Sequence, residues 1–187
     1  MADGLKPAPF DVVEASRRVW LDQWDAEAAS GNAVFTSILR SHQMLMHQVD
    51  QVMKRHGLTF TRYEVLVWLA AEPDTARALS WISTVLRVPP ATVTNVIDRL
   101  EADGMVRRVP HPTDARTTLA EITEPGRALA RDATVELNDE VYRPLALAER
   151  DRSRLAELLG NLRATGGEFD VDRSAELIAR LDAHRTA

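Results

Sequence analysis

The chain of 187 residues contains no cysteine. Disulfide bonds, thiolate zinc sites and cysteine-based redox sensing are therefore excluded. No apolar run approaches the roughly 20 residues that cross a bilayer, and the N-terminal segment lacks the charge and apolar stretch of a signal peptide. We therefore expect a cytoplasmic protein with no membrane partner, and the length suits one domain with a hydrophobic core.

The sequence also lacks an excess of basic residues. Acidic residues outnumber basic ones by 28 to 23, so the bulk charge does not favour nonspecific binding to nucleic acid. The sequence also has no nucleophile elbow, no phosphate-binding loop and no metal-ligand spacing. We expect neither an enzyme nor a cofactor or metal site, and any binding of DNA must depend on local geometry.

Helical periodicity in the first third of the chain predicts two amphipathic helices. Apolar and aromatic residues recur at helical spacing from Phe10 to Trp24, and Ser30-Gly31-Asn32 predicts a helix end. A second helix is expected from Ala33 to Arg55, with an apolar stripe long enough to be shared between two subunits. Residues 1–32 would then be an N-terminal extension, and residues 33–60 a dimerisation helix.

The middle of the chain predicts two helices joined by a tight corner. Thr61-Arg62-Tyr63-Glu64 has the pattern of a capping box, and Ser80 could cap the next, short helix. Pro89-Pro90 forces a break, and another helix is expected from Ala91 to Asp103. Trp68 lies in an apolar run and is expected in the core. This arrangement predicts a helix-turn-helix.

Two short strands are expected after the helix-turn-helix, at residues 105–109 and 117–122, with a turn-rich connection between them that ends at Arg116. A helix-turn-helix followed by a β-hairpin is a winged helix. The sequence therefore predicts a mainly α-helical fold with a small β-hairpin wing, and residues 61–122 as its DNA-binding lobe.

Further helices are expected after the wing. Thr123 can cap a long helix that reaches about Tyr142, and Pro144 breaks it. Leucines mark another helix that ends before Gly166-Gly167, and the tail has the pattern of one additional amphipathic helix. Residues 123–164 are therefore expected to complete the dimerisation helices, and residues 165–187 to form an extra C-terminal helix.

Several segments of this region resemble the MarR family of transcriptional regulators. They are PATVTN at 90–95, DRLEADGMVRR at 98–108, PTDAR at 112–116 and ITEPG at 122–126. The resemblance is specific because separate segments agree in order and spacing. It implies a dimeric winged helix-turn-helix protein, a homodimer that binds a pseudopalindromic operator in double-stranded DNA and, as a repressor, is released by a small-molecule effector.

The resemblance also implies which residues contact DNA. The helix at 91–103 would lie in the major groove and the wing at 110–116 in the minor groove, where an acidic side chain would hold the wing arginine by a charge-assisted contact. The expected DNA contacts are Thr92, Thr94, Asn95, Arg99, Asp114 and Arg116.

A small aromatic or anionic effector is a further expectation. Trp20 and Trp24, with Arg17 nearby, could form an apolar wall with a cation, or could simply pack across the dimer. Urate-responsive MarR proteins similarly carry an N-terminal helix with a tryptophan, although Val96 stands where they have an arginine. The candidate effector residues are Arg17, Trp20, Trp24, Arg40, His42, Tyr63 and Glu64.

Two other functions are consistent with the residues alone. A winged helix can be a protein-interaction module, since a fold does not fix its function and the net charge is acidic. The chain could also be a constitutive DNA-binding protein without an effector, with its N-terminal tryptophans and His42 sealing the dimer interface.

Overall fold

The computed structural model describes residues 8–71, 76–114 and 116–185. Parts of the predicted N-terminal extension, lobe, wing connection and C-terminal helix (1–7, 72–75, 115, 186–187) lie outside the described residues. The chain forms two compact units, Met1–Pro144 and Leu145–Ala187. None of the described helices combines the length and apolar character needed to cross a bilayer.

Helices dominate both units, and a small antiparallel sheet lies in the first. In chain order the elements of the first unit are α1 Val12–Gln23, α2 Ala26–Arg55, α3 Phe60–Ala70, β1 Arg77–Ala78, α4 Leu79–Leu86, α5 Pro90–Ala102, β2 Val106–Pro110, β3 Thr118–Ile122 and α6 Glu124–Leu137. A π-helical turn, Asn138–Tyr142, continues α6. The second unit contains α7, Glu149–Thr165, and α8, Val171–Arg185.

The boundary between α1 and α2 differs from the prediction. Asp25 caps α2 by accepting the backbone N–H of Ala28 at 2.8 Å, and the helix continues through Gly31 without a break. The predicted stop at Ser30-Gly31-Asn32 and the predicted start at Ala33 are therefore wrong. A glycine inside a helix costs only about 1 kcal/mol, which the remaining turns of a long helix offset.

The start of α3 also differs from the prediction. Thr59 is the cap, since its hydroxyl accepts the backbone N–H of Arg62 at 3.3 Å, so Thr61 lies inside the first turn and the predicted capping box is wrong. Leu58 and Tyr63 stand at the two positions of a hydrophobic staple and are both buried, which fixes the helix start at this register. Ser80 likewise lies within α4 and does not cap it.

The sheet has the order β1-β3-β2, with all neighbours antiparallel. The two predicted strands are confirmed within one residue, and Arg107 lies opposite Glu121 in their register. The third strand, β1, was not predicted. It is two residues long and carries no periodicity that a sequence could reveal.

The core of the first unit lies where α2, α3, α4, α5, the sheet and α6 meet. Its largest fully buried side chains include Met53, Leu66, Leu69, Ile82, Ile97, Leu100 and Leu137. The expectation that Trp68 is a core residue is wrong, because 40% of it is exposed. The buried face of α3 carries Leu66 and Leu69, and the Trp68 ring instead meets Trp81 edge-on at 6.1 Å.

The helices after the wing follow the prediction. Thr123 caps α6 by accepting the N–H of Gly126 at 3.2 Å, and the helical path reaches Tyr142 before Pro144, although its last turn is π-helical. In the second unit, α7 ends at Thr165 and Gly166 stands at its cap position. The extra helix of the tail is present as α8.

Gly126 packs closely against the hairpin, and a larger residue there should destabilise the fold. A Cβ at Gly126 would lie 2.1 Å from the Met105 carbonyl oxygen, which already accepts the N–H of Thr123 at 3.0 Å. We expect Gly126→Ala to lower the free energy of unfolding by about 1–3 kcal/mol, measured by urea denaturation. Gly31→Ala, with open space around its Cβ, should raise it by about 0.5–1 kcal/mol. A Gly126→Ala protein as stable as wild type would contradict the close packing.

Candidate nucleic-acid interface

Helix α5 presents a polar face to solvent. Pro90 occupies its first turn, where a missing N–H costs nothing, and Val93, Ile97 and Leu100 bury the opposite face in the core. The exposed residues include all four that were predicted to contact DNA from this helix: Thr92, Thr94, Asn95 and Arg99. The Thr94 hydroxyl donates back to the Pro90 carbonyl oxygen at 3.1 Å.

A tight corner joins α4 to α5 and sets the direction of α5. Arg87 adopts the left-handed backbone conformation, with φ 52° and ψ 40°, and is the one non-glycine residue with positive φ within the described ranges. The Ser83 hydroxyl donates to the Val88 carbonyl oxygen at 2.7 Å and closes the turn. The predicted helix-turn-helix corner is therefore present just before Pro89-Pro90.

Ion pairs tie the stem of the wing to α5. Arg107 donates to Glu121 on the neighbouring strand at 2.8 and 3.0 Å. Arg108 reaches α5, where it pairs with Glu101 and donates to Asp98 at 2.6 Å. Hydrogen bonds from the backbone N–H and then the guanidinium of Arg108 lower the pKa of Glu101. These contacts hold the hairpin at a fixed orientation relative to the exposed face of α5.

The tip of the wing is organised by its own side chains. Asp114 accepts the backbone N–H of Arg116 at 3.0 Å and the hydroxyl of Thr117 at 2.7 Å, and these hydrogen bonds, the Thr117 one first, lower its pKa. Asp114 therefore holds the wing arginine by a charge-assisted contact, as predicted, and the contact is made to the Arg116 backbone N–H. Arg116 itself is exposed.

His111 is a wing residue that the sequence reasoning missed. Its Nδ1 accepts the backbone N–H of Asp114 at 3.1 Å and of Thr113 at 3.3 Å, so it shapes the connection from the other side. Bonds between a side chain and the backbone of a nearby residue leave no trace in hydrophobic periodicity. A histidine shortly before a Thr-Asp pair was the available signal.

The candidate effector residues on α1 differ in their partners and in their exposure. Arg17 makes two hydrogen bonds to Glu14, at 2.8 and 2.9 Å, so its charge is already neutralised. Trp24 lies beyond the end of α1 with an extended backbone and is 64% exposed, whereas Trp20 is helical and 37% exposed. Trp20 therefore lies within α1, and Trp24 stands at its C-cap position.

The remaining candidates lie on α2 and α3. Arg40 and His42 are exposed, while Tyr63 is buried with its hydroxyl 3.0 Å from Thr134 Oγ1. Burial raises the pKa of the half-buried Glu64. Across the described residues, no hydrogen bond or ion pair links the α1 side chains to Glu64, and no cluster of acidic or histidine side chains could hold a metal.

Tyr142, in the π-helical turn, is an additional residue of the Tyr63–Glu64 region. Its phenol pKa is raised by burial first, and then by the neighbouring charges of Tyr63 and Glu64. The environment of the Tyr142 phenol therefore favours its neutral form. The sequence marked Tyr142 only as a helix end.

Comparison with known proteins agrees with this geometry. A family model described as "MarR family" matches residues 56–117, which include α3, the helix-turn-helix and most of the wing. The solved structure of Sco5413, a MarR family transcriptional regulator from Streptomyces coelicolor, is 38% identical with a TM-score of 0.68, and the match covers 75% of this chain and 98% of that one. This chain belongs to the MarR family.

Other known proteins are similar to this chain over most of their length. The HTH-type transcriptional regulator MhqR of Bacillus subtilis (strain 168) is 26% identical over 137 residues, covering 73% of this chain and 93% of the relative. CouR from Rhodococcus jostii RHA1, solved with bound p-coumaroyl-CoA, is 25% identical with a TM-score of 0.61, covering 69% and 90% of the two chains. The predicted MarR fold is confirmed, and this protein is a DNA-binding transcriptional regulator. The likeness to the urate-responsive branch stays a prediction.

The pairing of Glu14 with Arg17 can be tested by titration. Glu14 has a pKa of about 2, lowered from 4.5 by the hydrogen bonds of Arg17 first and Arg18 second. A lowered pKa means that the pairing is complete above about pH 4.5 and is lost as the pH falls through 2. We expect Arg17→Ala to move the midpoint of the Glu14 carboxyl signal in NMR toward 4.5, and Arg18→Ala to move it less. An unchanged midpoint in Arg17→Ala would show that Arg17 is available to bind an anion.

Proposed function

We propose that this regulator is a homodimeric repressor that binds a pseudopalindromic operator and leaves it when a small aromatic or anionic effector binds. One observation carries the DNA-binding half of the proposal. The exposed face of α5 and the exposed Arg116 of the wing belong to one lobe whose stem is fixed to α5 by Arg108. Such a lobe can place α5 in a major groove and its wing in the adjacent minor groove.

Local charge supports these contacts although the net charge is −5. Arg62, Arg107 and Arg108 are paired with acidic groups of the same lobe. No ion pair found among the described residues engages Arg99 or Arg116, so both charges remain available to phosphates or base edges. Affinity would therefore depend on a few positioned cations, and the loss of one should have a large effect.

An apolar stripe on α2 supports the dimer. In the single chain, the N-terminal half of α2 leaves four apolar residues with 38–68% of their surface exposed: Val34, Phe35, Ile38 and Leu39. Helix α7 exposes Leu155, Leu158 and Leu162 in the same way. Exposed apolar side chains of this kind, considered for each helix by itself, are typical of an interface, and a two-fold dimer would bury them while presenting two copies of α5 to DNA. Residues 33–60 and 123–164 remain the proposed dimerisation helices.

Selection of bound duplexes from a random DNA pool tests the proposed operator contacts. Wild type should enrich an inverted repeat with half-sites one helical turn, about 34 Å, apart. Arg116→Ala should weaken binding of that duplex by about 5- to 50-fold, the loss expected when one groove contact is removed. Arg150→Ala, at a 91% exposed arginine of α7, is the control and should bind as wild type does. No enriched repeat, or indifference to Arg116→Ala, would contradict the proposal.

The effector half rests on the region of Trp20 and Glu64. A partly desolvated carboxyl group and an exposed tryptophan are groups that can hold a small polar aromatic ligand. The related CouR binds p-coumaroyl-CoA. A ligand there would release DNA only if it favours a spacing of the two lobes that does not match the operator. Coupling of about 1–3 kcal/mol would change affinity by 5- to 150-fold.

A panel of urate, salicylate, p-coumarate and p-coumaroyl-CoA tests the effector. We expect at least one to raise the melting temperature of the free protein and to weaken binding of the selected duplex, because it binds the two states unequally. Glu64→Gln and Trp20→Phe should reduce both effects, whereas Trp68→Phe, at an exposed tryptophan of α3, should not. If none of these ligands changes the affinity for DNA, the protein is a constitutive regulator and the effector half of the proposal is wrong.

A further inference from the structure

A polar groove lies between the start of α3 and the exposed face of α5. Its volume is about 230 Å³, and it is lined by Thr59, Arg62, Thr92, Asn95, Val96 and Arg99. Two guanidinium groups, two hydroxyls and one amide therefore surround it, and none of the lining residues is acidic. Three of these residues, Thr92, Asn95 and Arg99, are the ones proposed above to face DNA.

Arg62 brings a cation into this groove from outside the helix-turn-helix. Its side chain is only 14% exposed, and its NH1 group donates to the Gly57 carbonyl oxygen at 3.2 Å. Its NH2 group pairs with Asp103 at the end of α5, and its buried Nε has no hydrogen-bond partner in the structure. Two sides of the guanidinium are thus fixed, and one buried donor is left unsatisfied.

The pairing with Asp103 is suited to exchange. The Asp103 side chain is 52% exposed, and an ion pair with a solvent-exposed partner contributes little net stability. A DNA phosphate, like a carboxylate, can accept two hydrogen bonds from one guanidinium. The hydroxyls of Thr59 and Thr92 and the guanidinium of Arg99 add donors around the same space. The phosphate can then bind beside Asp103 or replace it as the partner of Arg62, and the protein stays folded in either case.

We propose that this groove binds a phosphate of the DNA backbone, and that Arg62, assisted by Thr59, is a DNA contact outside the helix-turn-helix and the wing. The inference rests on the proposed function in one respect, that α5 lies in the major groove. A phosphate contact from α3 fixes how far α5 enters that groove, because α3 and α5 are packed on one core. The competing explanation is that Arg62 is only a clamp between α3 and α5.

Salt-dependent binding of the selected duplex separates the two explanations. Each neutralised phosphate contributes about 0.9 to the slope of log affinity against log salt, so Arg62→Gln should lower the slope of a two-fold dimer by about 1.8 and the affinity by roughly 10-fold. Arg62→Lys should keep most of the slope. Asp103→Asn releases Arg62 and should bind as tightly as wild type or more tightly. Urea denaturation of each variant checks that it is folded.

Duplexes that carry single neutral methylphosphonates locate the contact. Wild type should lose affinity at one position in each half-site, and Arg62→Gln should lose nothing further at that position.

The outcomes of the two experiments separate the proposals. If Arg62→Gln and Asp103→Asn lose affinity equally and both keep the wild-type slope of log affinity against log salt, Arg62 is a clamp and the proposal is overturned. If Arg116→Ala weakens binding but Arg62→Gln keeps the full slope, this inference alone fails. If wild type selects no duplex, the proposed function fails with it.

Discussion

The burial of one face of α5 is the constraint on which the rest of the lobe depends. Val93, Ile97 and Leu100 are almost completely removed from solvent, and together they contribute several kcal/mol at about 1.5–3 kcal/mol each. Because these residues recur at helical spacing, their burial leaves the polar residues between them on the opposite side. The same core receives α3, α4, the hairpin and α6, so every element that approaches α5 is oriented by it.

Charge is distributed around this core in two ways. Three arginines of the lobe, Arg62, Arg107 and Arg108, are paired with neighbouring carboxylates, and these pairs fix geometry: Arg107 joins the two wing strands, and Arg108 joins the wing to α5. Arg99 and Arg116 lie on the proposed DNA surface. An acidic protein can therefore bind a polyanion, since local field and geometry rather than net charge determine the interaction at short range. In the free protein Arg62 is paired with a carboxylate. In the proposed complex it contacts DNA, as Arg99 and Arg116 do.

The region beside α3 differs in character from the DNA surface. Glu64 is partly desolvated, and Tyr142 lies in a π-helical turn, a feature that is frequent at functional sites. Arg17 is neutralised by Glu14 on its own helix. The candidate effector residues therefore combine hydrogen-bonding groups with an arginine whose charge is already paired.

The sequence by itself determined the helix-turn-helix, the wing and the buried face of α5, because each depends on local signals: Pro89-Pro90 at a corner, apolar residues at a helical or alternating period, and turn residues between strands. It misplaced the starts of α2, α3 and α4, since alternative caps such as Thr59 and Thr61 differ little in free energy and packing chooses between them. Only the tertiary structure decided that Asp114 holds the backbone of the wing, that Trp68 is exposed, and that Arg62 reaches the groove of α5. Those contacts join side chains to groups whose positions no local pattern encodes.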